Sequence, residues 1–291
     1  MLPQCLQFVF TLTFCFQVTA QNYHVDNRAL YVEDLSAPVA QDRSATYLDL
    51  LRELFPGVDE TGGERFVLKR AARLRNLEHP REVVVMEGAI EISIVQSLWF
   101  ADEGEEHLAL IVNARHEPAD GESDEVNVLA VFRVQSQPHL VDAALIDFDR
   151  FIGFWDESPL LPVRQGETAF WIRATHHNSN EGFHSYFLTE LLGNRLRLAL
   201  RESFGLMDVK LCGSETSETL KIGHERGQFA GYRVFDLHVR TETNPTERCE
   251  GERAVKRRVV VRTHRLRWDA RLNKYRSITL KAMRAGLRRQ T

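Results

Sequence analysis

The chain has 291 residues, of which 43% are hydrophobic and 27% charged, with a formal net charge of −4. This composition excludes a disordered or low-complexity chain and supplies enough apolar material for one large domain or two small ones. The charge is unevenly spread. From Glu252 to Thr291 fourteen Lys and Arg face two acids, a surplus of twelve positive charges, and the rest of the chain has a surplus of sixteen negative ones. Such a split fits either an anionic partner for the basic end or a basic segment lying against an acidic body.

Met1 to Ala20 carries no charge, and its apolar run from Cys5 to Phe16 ends in Val18-Thr19-Ala20 before Gln21. Small residues at such a boundary are what a signal peptidase accepts, so the segment reads as a removable export signal. It lacks the usual basic n-region, and Gln7, Thr11 and Thr13 interrupt the run, which leaves a buried N-terminal strand as the alternative. A spanning helix needs roughly 20 predominantly apolar residues, and no later run is long enough. Phe14 sits where a lipoprotein box needs a small residue. The expected mature chain is soluble, periplasmic or secreted, with no transmembrane anchor after signal removal.

Removal of that segment takes Cys5 and Cys15 with it and leaves Cys212 and Cys249 as the one possible bridge. In an oxidising compartment they are expected to pair, and closing that loop contributes roughly 3–4 kcal/mol through the unfolded state. Two buried free thiols are the alternative.

Residues 21–43 read as an extended lead-in. A helix is predicted over about residues 44–55: Ser44 serves as N-cap, Tyr47, Leu48, Leu50, Leu51, Leu54 and Phe55 recur at helical spacing, and Pro56-Gly57 stop it. Beyond it the pattern is β, with about ten strands. They are 83–100 with a break at Gly88, 107–115, 126–134, 139–148, 168–175, 183–192, 195–203, 229–240, 254–268 and 275–280. The turn at Glu117-Pro118-Ala119-Asp120-Gly121-Glu122 makes 107–115 and 126–134 a hairpin, and Gly193-Asn194 makes another. The short connections call for antiparallel pairing. The fold class is therefore mainly β: an antiparallel β-sandwich, or a partial propeller-like or barrel sheet, with one N-terminal helix. A single β-rich domain spans 44–280, followed by a basic mobile tail, 281–291.

The richest chemistry lies at Thr175-His176-His177-Asn178-Ser179-Asn180-Glu181-Gly182-Phe183-His184. A five-residue loop pairs His177 with Phe183 and sets His176 opposite His184, where two imidazoles could share a divalent metal. The same register puts Phe170, Ile172, Ala174, Tyr186 and Leu188 on their face, which fits core histidines equally well. Asp147 and Asp149 share a face at strand spacing and would suit calcium, as would the acidic turn of Asp120, Glu122, Asp124 and Glu125. The aromatics Phe151, Phe154 and Trp155 read as plugs of the sheet.

No Gly-x-Ser-x-Gly elbow, phosphate loop, dinucleotide fingerprint or His-Glu-x-x-His occurs. No cofactor is predicted apart from the divalent metal. The expectation is an exported, non-enzymatic binding or structural module of the cell envelope or extracellular space. The alternative is a metal-assisted hydrolase on His176 and His184. Lys281, Arg284, Arg288 and Arg289 would touch an anionic envelope lipid or polysaccharide, and nucleic acid is not an expected partner.

Overall fold

A computed structural model describes residues 24–40, 44–60, 66–102, 104–116, 124–134, 138–146, 151–165, 167–200, 204–247, 255–280 and 283–284. The predicted signal Met1–Ala20, the turn acids Asp120 and Glu122, Asp147, Asp149, Cys249, Lys281, Arg288 and Arg289 lie outside the described residues.

The N-terminal half builds one sheet and the helix. Its elements are β1 (His24–Asp26), a 3-10 turn (Val32–Asp34), α1 (Tyr47–Leu54), β2 (Val58–Glu60), β3 (Phe66–Arg75), β4 (Val83–Asp102), β5 (Glu105–His116), β6 (Asp124–Val134) and β7 (Pro138–Leu145). Among the described residues the strands form a seven-stranded sheet in the order β2-β3-β4-β5-β6-β7, with β1 beside β4. The predicted hairpin is β5–β6, paired from His107↔Arg133 to His116↔Asp124.

The C-terminal half gives β8 (Phe151–Phe154), β9 (Leu160–Arg164), β10 (Glu167–His177), β11 (Glu181–Leu192), β12 (Arg195–Leu198), β13 (Phe204–Leu211), β14 (Ser214–Phe229), β15 (Tyr232–Pro245), β16 (Arg258–Asp269), β17 (Lys274–Thr279) and β18 (Met283–Arg284). This sheet, eleven-stranded among the described residues, runs β17-β16-β15-β14-β13-β11-β10-β8, with β9 and β12 beside β10 and β11, and β18 beside β16. Every strand ladder in both sheets is antiparallel. The mainly β, antiparallel, sandwich-like class expected from the sequence is what the structure shows. No helix among the described residues is long and apolar enough to cross a membrane.

The helix caps differently from the prediction. Thr46, not Ser44, is the N-cap: its Oγ1 accepts from the Asp49 amide at 3.2 Å, and the Asp49 carboxylate accepts from the Thr46 amide at 2.9 Å. This reciprocal capping box satisfies two amides that the first turn leaves without partners, and it holds the Asp49 carboxyl below its ordinary range. Tyr47, Leu48, Leu50, Leu51 and Leu54 are buried against the first sheet.

Three apolar layers follow from strand alternation. Leu108, Leu110, Val112, Val128 and Ala130 face α1. Ala109, Ile111, Leu129 and Val131, on the opposite face of the same strands, meet Ile152, Phe154, Phe170, Ile172 and Phe187 of the second sheet. Trp171 and Leu188 alternate to the far side of β10 and β11 and meet Leu237, Leu266, Trp268 and Tyr275. The second sheet therefore curls over its own strands. The Tyr275 amide donates to Ala199 O at 2.6 Å, which joins β17 to the end of β12.

Two other expectations need correction. Gly88 does not end a strand; at φ +79 it sits where the β3–β4 register shifts between Leu68↔Gly88 and Ala72↔Met86, so β4 continues through a bulge. The predicted strand 229–240 contains a turn, because Ala230 (φ 53) and Gly231 (φ 81) close the β14–β15 hairpin. The Gly193-Asn194 turn is as predicted, with both residues at the positive φ that a type I′ turn demands.

The basic end runs along acids of its own chain. Arg262 pairs with Glu218 at 2.5 Å, Arg257 with Glu242 at 2.5 Å, Arg265 with Asp236 at 2.8 Å and Arg276 with Asp269 at 3.5 Å. Met283 and Arg284 continue the ladder opposite Val261 and Val260 on β16.

Candidate functional site

The β10–β11 hairpin carries the histidines, and its register is one residue away from the predicted one. His177 pairs with Gly182, His176 with Phe183, and Thr175 with His184. The turn explains the slip: Asn178 Oδ1 accepts from the Glu181 amide at 2.8 Å and the Asn180 amide at 3.2 Å, closing a four-residue rather than five-residue connection. A one-residue slip moves every side chain to the other face. His176 therefore lies exposed on the face of Phe183 and Met207, and His184 lies on the opposite face. The two do not face each other, so the proposed His176–His184 metal pair is not assembled. Among the described residues no group of three or more His, Cys, Asp or Glu is placed to hold a metal ion.

His184 has other partners. The row across the strands is Phe151, Thr175, His184 and Leu206, and the next row toward the core is Gly153, Arg173, Tyr186 and Phe204. His184 Nε2 lies 3.0 Å from Asp208 Oδ2, and Nδ1 lies 3.2 Å from Thr175 Oγ1. A carboxylate only accepts, so Nε2 carries the proton and donates to Asp208; in the neutral ring Nδ1 then accepts from the Thr175 hydroxyl. Asp208 is itself held, because its Oδ1 accepts from the Glu218 amide at 3.0 Å. The His177 ring stands edge-on to His184 at 5.5 Å. It lies over Gly182, where a Cβ would come within 2.9 Å of His177 Nδ1.

Thr175 and Arg173 line a cavity of about 410 Å³ at the seam between the sheets. Gly153, across from Arg173, lets the Gln96 side chain approach the strand: a Cβ there would meet Gln96 Oε1 at 3.0 Å. Gln96 is buried, and its amide is fully used. Its Oε1 accepts from the Phe154 amide, and its Nε2 donates to Asn27 Oδ1 and, at 3.4 Å, to Asp156 Oδ1. Arg173 lies 3.9 Å from Asp156. Burial pushes the Tyr186 phenol up from its ordinary value, and the Arg173 guanidinium beside it opposes the shift. Phe154 and Trp155 are buried as expected, but Phe151 is not a plug. It is 66% exposed at the mouth of the cavity.

A larger cavity of about 540 Å³ lies between the 3-10 turn and the first sheet and is lined by Glu33, Glu91, Arg115 and Glu125. A second polar cluster is enclosed in the curled sheet. Arg197 Nε donates to buried Glu190 Oε1 at 2.6 Å, while Glu190 Oε2 has no hydrogen-bond partner among the described residues. Arg197 stands 5.7 Å from the Trp268 ring, which stacks on Tyr232 at 3.6 Å. This cluster belongs to the core; the seam cavity combines access with a connected set of polar groups. Asp208 and Thr175 carried no marker in the sequence. Comparison with protein-family models, with curated proteins and with solved structures gives no match.

Proposed function

We propose that this chain is an exported β-domain that binds a hydroxyl-rich ligand, a saccharide, in the seam cavity. The exposed Phe151 ring beside a fixed set of polar groups supports this reading. One guanidinium (Arg173) and one carboxylate (Asp156) balance in charge, and Asn27 and Thr175 add an amide and a hydroxyl group. Such a lining suits a neutral molecule with many hydroxyls and one apolar face, because the ring packs on that face. Replacing Phe151 with alanine is expected to weaken binding of an oligosaccharide found by array screening about tenfold, the equivalent of roughly 1.4 kcal/mol. Titration calorimetry measures it, and equal affinity of the two proteins would sink the assignment of the cavity.

Export and the Cys212–Cys249 bridge belong to the same proposal. The turn holding Cys212 is bonded to the chain just before Cys249: the Gly213 amide donates to Glu247 O at 3.0 Å, and the Thr246 amide donates to Gly213 O at 3.1 Å. The mature protein is expected to begin at Gln21, with both cysteines alkylated only after reduction. Intact-mass analysis tests both; an intact Met1 removes the export reading, and ready alkylation without reductant removes the bridge.

A further inference from the structure

We propose that Thr175 is a nucleophile for acyl-ester hydrolysis, with His184 as its general base and Asp208 as the positioning residue that holds the imidazole. A hydroxyl, an imidazole and a carboxylate in hydrogen-bond sequence, opening on a cavity, form the arrangement that activates an otherwise weak oxygen nucleophile. Here the sequence is Thr175 Oγ1, His184 Nδ1 at 3.2 Å, then His184 Nε2 and Asp208 Oδ2 at 3.0 Å. Thr175 lines the cavity, and Asp208 is anchored by the Glu218 amide. The tautomer is the productive one, since Asp208 fixes the proton on Nε2 and leaves Nδ1 free to take the hydroxyl proton.

The step balances without any cofactor. Thr175 Oγ1 attacks the ester carbonyl carbon, and its proton passes to His184 Nδ1. The Arg173 guanidinium, on the same face and lining the same cavity, supports the negative charge on the carbonyl oxygen. The C–O bond to the alcohol breaks, and the alcohol leaves with the proton from Nδ1. Water then attacks the acyl-threonine, gives a proton to Nδ1 and releases the carboxylic acid, and the proton returns to Thr175. The inference uses the seam cavity but does not depend on the ligand's being a saccharide.

The test treats the full mature chain with an alkyl fluorophosphonate, which forms a phosphorus–oxygen bond to an activated hydroxyl with loss of fluoride, and locates the adduct by peptide mass spectrometry. The adduct is expected on Thr175, absent in Thr175→Val and retained in Thr175→Ser. In His184→Gln the rate of labelling and of p-nitrophenyl acetate hydrolysis is expected to fall about 100-fold, the size of a lost general base. Asp208→Asn, whose amide favours the ring protonated on Nδ1, is expected to lower kcat as far as His184→Gln does, about 100-fold, with KM unchanged. No adduct on Thr175, or undiminished labelling of His184→Gln, overturns the proposal. Saccharide binding is measured separately on the same samples: labelling without binding overturns only the ligand assignment, and binding without labelling overturns only the nucleophile.

Discussion

Glu190→Ala is expected to lower the unfolding free energy by about 4 kcal/mol, the scale for removing one partner of a buried ion pair. Glu190 is 1% exposed and is the anion on which Arg197 rests. Alanine leaves the guanidinium against Trp268 with its charge uncompensated and opens a void between β11 and β12. Glu190→Gln keeps an oxygen where Oε1 accepts from Arg197, so it is expected to lose much less. The pH dependence separates the two further. Burial raises the Glu190 carboxyl above its ordinary 4.5, against the pull of Arg197. The folded state then holds that proton more tightly than the unfolded one. The group's contribution is complete below the unfolded value and is lost as pH rises through the folded value. Urea unfolding at about pH 4 and about pH 7 is therefore expected to favour the wild type less at the higher pH, relative to Glu190→Gln. Parallel behaviour of the two proteins would show that burial of this carboxyl has no linked cost.

Asp142→Ala is the other large effect, expected at about 3–4 kcal/mol. Asp142 on β7 accepts from Arg75 of β3 and, at 2.6 Å, from the Leu196 amide of β12; Arg75 also donates to Leu196 O at 2.6 Å. Both side chains are mostly buried, at 14% and 21% exposure. One carboxylate thus joins two strands of the first sheet to the second. Its removal strands a guanidinium and a backbone amide at the interface between the sheets. Denaturant unfolding should show a lower midpoint, and fluorescence of Trp171 and Trp268 should separate from the far-ultraviolet signal if the second sheet loosens first. An unchanged midpoint would mean that apolar burial alone holds the sheets together.

The readable parts of the sequence were those with a dense local signal. The α1 stripe, the β5–β6 hairpin and the Gly193-Asn194 turn each combine apolar period with turn chemistry. β14 went unread because its stability comes from its neighbours. Of Ser214–Phe229 only Leu220 is a buried apolar residue, and most of the others are polar, as in the Thr216–Thr243 hydroxyl pair at 3.1 Å. β3 and β13 are likewise only half apolar. The candidate site was legible only in its imidazoles. The side-chain cap at Asn178 set the hairpin register, and its two bonds decided which histidine meets which strand. Asp208 comes to His184 from a strand that itself gave no signal. Phe151 looked apolar enough for the core, and nothing in its neighbours told that β8 is an edge strand ending at a cavity.

The closure of β17 onto the end of β12 also governs how the chain folds. Tyr275 and Ala199 are far apart in sequence, and the layer of Trp171, Leu188 and Leu266 is sealed only when they meet. Loop-closure entropy must be met before that contact contributes, so this half should be the slow one, with the first sheet formed well before it. A chain truncated before Lys274 would keep most of its strands yet leave Trp171 and Trp268 on an open, adhesive surface. Its expected fate is aggregation.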